Sequence, residues 1–381
     1  MNKIEKFLSR NIFPVFFKLF PLKRKTIVFS SFGGRNYSGN PRIISEKLQK
    51  GELDYQLVWL LKDTVPDILP KGIKRIKSDS IFSAYYLYTS KFWIDDSRKT
   101  IVYKKRKSQI YFQTWHGTPL KKIEFDAKDK LSKHYLKYAQ NDSESISYLL
   151  SGNNYSSKIY PNAFRIETEK ILNIGTPRND QLIKERKSHN ESIYDKRIIN
   201  ILFAPTFRND PRDNGLSQLK KIGFNLLEDY FHLKGQEVNF LVKFHPNVNS
   251  QLAKDRASLD YMKHHSIELV EDSILLEHLF SNIDLLITDY SSIFFDYSLL
   301  GKPLILFNYD ENKYAEERGF YIELSDLPVP KAQNADDLIN VLLFQKEKLL
   351  NSSKALLEYL VNYENGDSAK KIIELIVKED N

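Results

Sequence analysis

The chain has 381 residues, no cysteine and a formal net charge of +8, because 57 lysines and arginines outnumber 49 aspartates and glutamates. The length predicts about two domains, and the 41% of apolar residues is enough for real cores, which excludes an intrinsically disordered chain. The absence of cysteine excludes disulfides, thiolate metal sites and a cysteine nucleophile, and it is consistent with a reducing compartment. The excess of positive charge indicates an anionic partner: nucleic acid, lipid headgroups or a phosphorylated substrate.

The first 25 residues concentrate positive charge among aromatic and aliphatic side chains, with seven lysines and arginines against Glu5 alone. The longest uncharged run there, Asn11 to Phe17, has seven residues, far short of the ~20 needed to span a bilayer. No small-residue cleavage site of a secretory signal follows. The pattern favours a basic amphipathic segment, residues 1–25, that lies on an anionic membrane surface. The alternative is an N-terminal helix packed on its own domain.

Short β-rich runs alternate with longer helical patterns along the rest of the chain. This alternation predicts parallel sheets covered by helices, and most of the runs are continuously apolar, as in strands buried on both faces. The first series of predicted strands comprises Thr26–Ser31, Gln56–Leu61, Phe92–Asp95, Gln109–Thr114, Tyr148–Ser151 and Ile171–Ile174. The second comprises Ile199–Ala204, Asn239–Lys243, Ile267–Val270, Ile283–Thr288 and Pro303–Phe307. The amphipathic segments between them include Pro41–Lys50, Leu216–Leu233 and Ala335–Phe344.

A charged segment without an apolar period separates the two series and predicts a linker at residues 186–198. The predicted fold is α/β, with two doubly wound, Rossmann-like domains that face a central cleft. The N-terminal domain would span residues 26–185 and the C-terminal domain residues 199–381, whose last helices could cross back to the first domain. Ligands of such sheets bind beyond the carboxyl ends of the strands.

One predicted strand, Ile283–Thr288, runs into Asp289-Tyr290-Ser291-Ser292 and then into a predicted helix, Ile293–Leu300. Hydroxyls and free backbone N–H groups at a helix N-terminus bind phosphate well, because that end carries partial positive charge. Asp296 lies four residues beyond Ser292 on the same helical face and could reach a ribose or polyol hydroxyl. The alternative is a serine that only caps the helix and a solvated carboxylate.

Two further strand ends carry cationic side chains. Asn239–Lys243 continues into Phe244-His245-Pro246, so Lys243 and His245 share a face and suit a diphosphate. Arg208 follows Ile199–Ala204. Each side chain alone is ambiguous, since a lone histidine at a strand end is more often structural. Because Arg208, Lys243 and His245 all follow strands of the same predicted sheet, they indicate an anion site at its carboxyl edge.

The strand Gln109–Thr114 runs into Trp115-His116-Gly117, and Pro119 then stiffens the turn. Gly117 lets another group approach closely. An imidazole near its unperturbed pKa of about 6.5 can accept a proton at neutral pH. His116 is therefore a candidate general base, and the structural alternative is a histidine bonded within a turn.

The sequence gives little support to metal or nucleic-acid binding. His264 and His265 are adjacent and so point apart, and no paired-carboxylate motif stands out. The aromatic residues lie inside apolar runs, as core residues do, and no zinc-finger, RNA-recognition or helix-turn-helix signature is present. A P-loop and a Gly-x-Gly-x-x-Gly motif are also absent. We therefore expect neither a metal nor a nucleic-acid partner.

Taken together, these segments resemble the teichoic acid glycerophosphotransferase family, enzymes that use CDP-glycerol or CDP-ribitol in bacterial wall and capsule assembly. The matching stretches keep their order over about residues 26–321. They are Phe29–Gly34 with Asn40-Pro41, Gln113–Leu120, Ser151–Asn153, Gly175–Asp180, Ala204–Arg208, His245-Pro246, Ile287–Tyr297, Gly301–Pro303 and Tyr314 through Phe320.

The resemblance implies a GT-B-like transferase that needs no cofactor or metal and acts as a peripheral protein at the cytoplasmic face of the membrane. It would transfer an alditol phosphate, glycerol phosphate foremost, from a CDP-alditol to a hydroxyl of an undecaprenyl-diphosphate-linked acceptor, with release of CMP. The resemblance leaves open glycerol or ribitol, and a primase, a short-chain transferase or a polymerase. The main alternative is a nucleotide-sugar glycosyltransferase on the same scaffold, acting on a cell-envelope acceptor.

The resemblance also assigns roles to side chains. His116 would be the general base, and His245 would hold the diphosphate during the reaction. The residues expected to bind the donor are Arg208, Lys243, His245, Thr288, Ser291, Ser292 and Asp296. Those expected to bind the acceptor are Gly117, Thr118, Lys121 and Lys122.

Overall fold

In the computed structural model of the protein, residues 3–51, 53–66, 68–186, 192–208, 215–244, 246–252 and 254–380 are described. The chain divides into two units. The first unit holds Met1–His116, Ile123–Asp180 and Asn362–Asn381, and the second holds Gly117–Lys122 and Gln181–Val361. Of the predicted linker, residues 187–191 lie outside the described residues.

Parallel strands form the sheet of the first unit. They are β1 (Lys23–Ser30), β2 (Gln56–Leu61), β3 (Lys74–Lys77), β4 (Ser90–Asp95), β5 (Ile110–Gln113), β6 (Tyr148–Ser151) and β7 (Ile171–Asn173). Their order in the sheet is β3-β2-β1-β4-β5-β6-β7, and Val28 of β1 lies opposite Val58 and Trp93. The central strands are buried on both faces, which explains their continuous apolar sequences.

Helices alternate with these strands. They are α1 (Lys3–Asn11), α2 (Phe13–Phe17), α3 (Gly39–Lys50), α4 (Ile81–Thr89), α5 (Lys133–Ser145) and α6 (Asn154–Phe164), with 3-10 turns at Glu124–Lys130, Thr168–Lys170 and Pro177–Asn179. The next helix, α7 (Asp180–Arg186), begins at the last residue of this stretch and otherwise belongs to the second unit. Ser80, Ser132 and Asn153 precede α4, α5 and α6, and each accepts a hydrogen bond from a backbone N–H of the first turn. These caps fix where the helices begin.

The sheet of the second unit is also parallel. Its strands are β8 (Ile198–Ala204), β9 (Glu237–Val242), β10 (Ile267–Leu269), β11 (Leu285–Thr288), β12 (Leu304–Phe307) and β13 (Lys331–Ala332). The order is β10-β9-β8-β11-β12-β13, so the strand order reverses between β8 and β11. A switch point of this kind places a crevice at the carboxyl ends of the two strands.

The helices of the second unit are short. They are α8 (Gly215–Ile222), α9 (Phe224–His232), α10 (Pro246–Leu252), α11 (Arg256–His264), α12 (Leu276–Phe280), α13 (Ile293–Tyr297), α14 (Glu311–Arg318), α15 (Ala335–Phe344), α16 (Lys346–Leu350) and α17 (Ser352–Leu360), with 3-10 turns at Ser298–Leu300 and Leu324–Asp326. The predicted amphipathic segment Leu216–Leu233 is helical on both sides of Gly223, which adopts a φ of +69° and separates α8 from α9. The predicted helix Ile293–Leu300 keeps its α form only to Tyr297.

The last helix, α18 (Ser368–Asp380), belongs to the first unit. Asp180 accepts hydrogen bonds from the backbone N–H groups of Ser368 and Ala369, at 2.8 and 2.9 Å, and so caps this helix from a distant part of the chain. Ile372 and Ile376 are fully buried in the core on that side of the sheet. The motif that contains Asp180 therefore anchors the C-terminal helix.

The N-terminal helices pack on the first unit with one side only. Phe17 is buried, its ring centroid lies 5.3 Å from that of Tyr85, and Arg10 forms an ion pair of 2.6 Å with Asp79. Other large apolar side chains of the segment are exposed, including Phe16 at 51% and Leu19 at 81%. No helix in the described part of the chain combines the length and apolar character needed to cross a bilayer.

Candidate active site

His116 lies in a strained turn just beyond β5. Trp115 has a φ of +49°, in the left-handed region, and its N–H donates to Oε1 of Gln113 at 2.9 Å. Asn40 donates from Nδ2 to the Trp115 carbonyl at 3.0 Å and so fixes the turn from the start of α3. A bulky residue adopts this backbone conformation only where its surroundings over-determine it, and such positions cluster at functional sites.

The imidazole of His116 is held as one tautomer. Its Nδ1 lies 2.7 Å from the backbone oxygen of Asp96. Because a carbonyl oxygen only accepts, Nδ1 must carry the hydrogen, and the lone pair of the neutral ring is then on Nε2. Burial lowers the pKa of His116, and the nearby positive charge of Arg178 lowers it further. The hydrogen bond to Asp96 raises the pKa but does not reverse the shift. The ring is thus a neutral proton acceptor at pH 7, as a general base requires.

The carboxyl group of Asp96 supports the same turn. It is fully buried, and its two oxygens accept hydrogen bonds from the Ser31 hydroxyl at 2.5 Å and from the Phe32 N–H at 2.8 Å. Burial, followed by the neighbouring charge of Asp95, raises the pKa of Asp96 to about 7. Sequence reasoning missed Asp96, although two aspartates that follow an apolar strand at its carboxyl end are a readable signal.

A buried ion cluster lies beside these residues in the first unit. Arg98 donates to Glu124 at 2.7 Å and to Asp142 at 3.0 Å, and all three side chains are at most 5% exposed. Burial raises the pKa of Asp142 to about 6 despite the opposing charge of Arg98. No sequence signal predicts this cluster, because its members are far apart along the chain.

The residues predicted to bind the acceptor, Gly117, Thr118, Lys121 and Lys122, belong to the second unit. The segment pairs with a later loop: the Lys122 N–H donates to Gly319 at 3.1 Å, and the Tyr321 N–H donates to Leu120 at 3.0 Å. The ammonium of Lys121 lies 4.9 Å from the ring centroid of Tyr314. His116 and the residue that follows it thus fall into different units.

Arg208 is held by two carboxylates in the second unit. Its guanidinium binds Asp310 through two nitrogens, at 2.7 and 3.0 Å, and Asp289 through one, at 2.8 Å. Asp289, which follows β11, also accepts the N–H and hydroxyl of Thr206, which follows β8. Arg208 and Asp289 therefore join the two strand ends at the point where the strand order reverses. The guanidinium of Arg208 thus holds the residues at this rim of the crevice in a fixed arrangement.

The other residues predicted to bind the donor differ in how accessible they are. Thr288 is fully buried and donates its hydroxyl to the Ala204 carbonyl at 2.6 Å. Ser291, Ser292 and Asp296 are half-buried, and Ser292 makes no side-chain cap bond to α13. Because α13 has only five residues, its dipole contributes less to anion binding than the sequence suggested.

Lys243 follows β9 and is half-buried. Its ammonium donates to the Glu271 carbonyl at 2.9 Å, and burial lowers the pKa of Lys243. His245, the second catalytic candidate, lies outside the described residues. In the part of the chain that the structure describes, no three histidine, aspartate or glutamate side chains are grouped to hold a metal ion.

A profile of the family described as "CDP-Glycerol:Poly(glycerophosphate) glycerophosphotransferase" matches residues 12–378. The chain belongs to this family. It is 32% identical over 383 residues to the teichoic acid poly(glycerol phosphate) polymerase of Staphylococcus epidermidis, covering 94% of the chain but 51% of that polymerase. The chain thus spans about half the length of this relative. It is also 30% identical to the teichoic acid glycerol-phosphate transferase of Staphylococcus aureus, with 99% of both chains covered.

Solved structures agree with this membership. The wall teichoic acid polymerase TagF has a TM-score of 0.80 and 29% identity to the chain, covering 99% of the chain and 94% of that structure. A histidine-to-asparagine variant of TagF soaked with CDPG has a TM-score of 0.79, with 29% identity, covering 98% of the chain and 94% of that structure. The predicted GT-B-like α/β fold and the predicted enzyme class, a glycerophosphotransferase of teichoic acid synthesis, are confirmed.

Proposed function

We propose that the chain transfers an alditol phosphate from a CDP-alditol to a hydroxyl of a lipid-linked acceptor and releases CMP. Glycerol phosphate is the favoured group, because several similar proteins are described as glycerol-phosphate enzymes. A poly(ribitol-phosphate) polymerase of Bacillus spizizenii is 29% identical, so CDP-ribitol is the second donor to test. The observation that carries the proposal is the neutral imidazole of His116, whose Nδ1 is fixed by Asp96.

The reaction is a single displacement at phosphorus. Nε2 of His116 takes the proton of the acceptor hydroxyl, and the oxygen attacks the β-phosphorus of the CDP-alditol. The bond between that phosphorus and the bridging oxygen breaks, and CMP leaves with the electron pair. Such transfers depend on position and on stabilised charge more than on covalent catalysis. The hydrogen bond from Nδ1 to the Asp96 carbonyl favours the imidazolium that forms.

We assign the donor to the second unit, at the crevice between β8 and β11. Ser291 and Ser292 offer hydroxyls there, and Lys243, which follows β9, supplies positive charge. His245 is assigned to the donor from its place in the sequence alone. The ion pairs of Arg208 with Asp289 and Asp310 support a role in shaping this rim, with its positive charge balanced by these carboxylates. In this proposal the cationic side chains replace a metal ion, and Asp296 meets donor hydroxyls.

We place the protein at the cytoplasmic membrane surface as a peripheral enzyme. The support is the N-terminal segment, where exposed apolar side chains such as Phe7 (59%) and Leu19 (81%) lie among lysines and arginines. Apolar groups enter the interface and basic groups bind anionic headgroups, so a segment of this kind holds a protein on a membrane. A lipid-linked acceptor would be met at the same surface.

The proposed function is tested with the purified chain and a defined lipid-linked acceptor. CDP-glycerol, CDP-ribitol and UDP-sugars are offered separately, and the released nucleotide is measured. We expect CMP with a CDP-alditol and no UDP. Release of UDP, with none of CMP, would replace the proposal by the nucleotide-sugar glycosyltransferase.

A further inference from the structure

The first unit contains a cavity of about 460 Å³ between its sheet and the N-terminal helices. Ser30, Lys62 and Asp95 line it, so it lies at the carboxyl ends of β1, β2 and β4. Arg10 of α1 and Pro14 of α2 line it from the other side. These are the helices that also expose apolar side chains to solvent.

The walls of the cavity are of two kinds. One part is apolar and is formed by Leu60, Ala84, Leu87, Tyr88, Ile101 and Val102. The other part is basic: five cations, Arg10, Arg35, Lys62, Arg98 and Lys99, stand against two carboxylates, Asp79 and Asp95. A ligand that suits both parts has an anionic group attached to an apolar chain.

Two of the five cations form ion pairs with carboxylates of the lining, and Arg98 pairs with two carboxylates outside it. Arg10 pairs with Asp79 at 2.6 Å, and Lys99 pairs with Asp95 at 2.5 Å. Arg35 is exposed, Lys62 is half-buried, and neither has a carboxylate partner among the residues that the structure describes. Their positive charges remain available for an anion.

The buried guanidinium of Arg98 has one nitrogen that no described residue binds. Its side chain is only 5% exposed, and although Glu124 and Asp142 bind two of its nitrogens, Nη2 is buried without a hydrogen-bond partner in the described structure. A buried N–H group without a partner destabilises the folded protein. Arg98 also lines the cavity, and a guanidinium group suits a phosphate oxygen particularly well.

One wall of the cavity contacts the catalytic imidazole. Phe32 lines it, and the ring centroid of Phe32 lies 5.4 Å from that of His116. The N–H groups of Phe32 and Gly33 donate to Asp96 and Ser97, so this wall is fixed to the residue whose carbonyl binds His116. A molecule held in the cavity would therefore lie against the wall that contacts the general base.

We propose that this cavity binds the diphosphate of the acceptor and the first part of its lipid chain. Arg35, Lys62 and Arg98 would hold the phosphate oxygens, and the apolar wall would take the chain as it leaves the membrane surface beside α2. The proposal rests on the proposed function and names the acceptor site within it. An anionic phospholipid has the same chemistry, so the test must separate the two sources.

The test measures binding to the full chain by calorimetry, with farnesyl diphosphate as a soluble prenyl diphosphate. Inorganic diphosphate and dioctanoyl phosphatidylglycerol are compared with it. The test variant is Arg35→Ala with Lys62→Ala, and the matched control is Lys133→Ala with Lys137→Ala, two exposed lysines of α5. Thermal melting and CDP-glycerol binding, both expected to match the wild type, show that the test variant is folded.

We expect farnesyl diphosphate to bind the wild type at least tenfold tighter than inorganic diphosphate does. The test variant should lose at least tenfold in this affinity, while the control stays within twofold. In turnover, the KM for the acceptor should rise about as much, with kcat little changed. Equal binding of farnesyl diphosphate by wild type and test variant would overturn the proposal. A loss confined to phosphatidylglycerol would overturn it too, and would assign the cavity to a membrane phospholipid.

The two proposals fail in different ways. If no CDP-alditol yields CMP but farnesyl diphosphate binding still depends on Arg35 and Lys62, the proposed function is refuted. The assignment of the cavity as a prenyl diphosphate site would then still stand. If a CDP-alditol yields CMP but farnesyl diphosphate binding does not depend on Arg35 or Lys62, the proposed acceptor site is refuted and the proposed function stands.

Discussion

Replacing His116 by alanine tests the centre of the mechanism. The structure leaves Nε2 as the basic nitrogen, so His116→Ala removes the proton acceptor of the attacking hydroxyl. General-base catalysis is typically worth about 10²–10⁴-fold, and turnover should fall by that factor. The variant leaves the Asp96 carbonyl without this hydrogen bond, which should cost about 1–3 kcal/mol of stability. This is less than the ~5–15 kcal/mol that keeps a protein folded, so the variant should remain folded. Donor affinity should change little, because the proposed donor residues lie in the second unit.

The pH profile of the same variant adds a second measurement. Burial lowers the pKa of His116 below its ordinary value of 6.5, so the wild-type rate should decline only below that pH. This acid limb should disappear in His116→Ala. The assay is CMP release between pH 5 and 8, with calorimetric CDP-glycerol binding and thermal melting beside it. His134→Ala, at an exposed histidine of α5, is the matched control.

One result would refute this reasoning: a folded His116→Ala protein whose turnover stays within a few-fold of the wild type. His116 would then be a structural histidine of the turn. His245→Ala should behave differently, because a residue that holds the donor diphosphate acts in the ground state as well. It should weaken CDP-glycerol binding together with turnover.

Three further predictions concern the membrane, the metal and pH. Replacing the exposed Phe7, Phe16 and Leu19 by serine should reduce sedimentation with anionic vesicles without lowering the melting temperature; unchanged vesicle binding would contradict the membrane assignment. Turnover should survive EDTA, and a loss that magnesium restores would show that a metal carries the charge assigned here to side chains. Because the pKa of Asp96 is raised from 3.8 to about 7, the stability it contributes is fully present below pH 3.8 and is lost as pH rises through 7. The free energy of unfolding of Asp96→Asn should therefore increase relative to that of the wild type over this range, by up to about 1.4 kcal/mol per pH unit. Denaturant titrations at pH 4, 6 and 8 measure this difference. A constant difference between the two proteins would contradict the raised pKa.

The sequence by itself determined the fold class and the family. Continuous apolar runs such as Leu57 to Leu61 and Leu285 to Ile287 identify strands buried on both faces, because only a residue's own hydrophobicity and spacing are needed. Two strands escaped this reasoning. β3 (Lys74–Lys77) is a charged edge strand that needs no apolar run, and β13 has only two residues.

Only the tertiary structure decided which distant residues meet. It brings Arg98 to Glu124 and Asp142, and it caps α18 with Asp180. It also pairs the segment that follows His116 with residues 319–321. It also fixes which nitrogen of His116 carries the hydrogen, because that depends on the carbonyl of a neighbouring strand end. Local sequence patterns record how each residue is buried, whereas contacts between segments depend on how the whole sheet brings strand ends together.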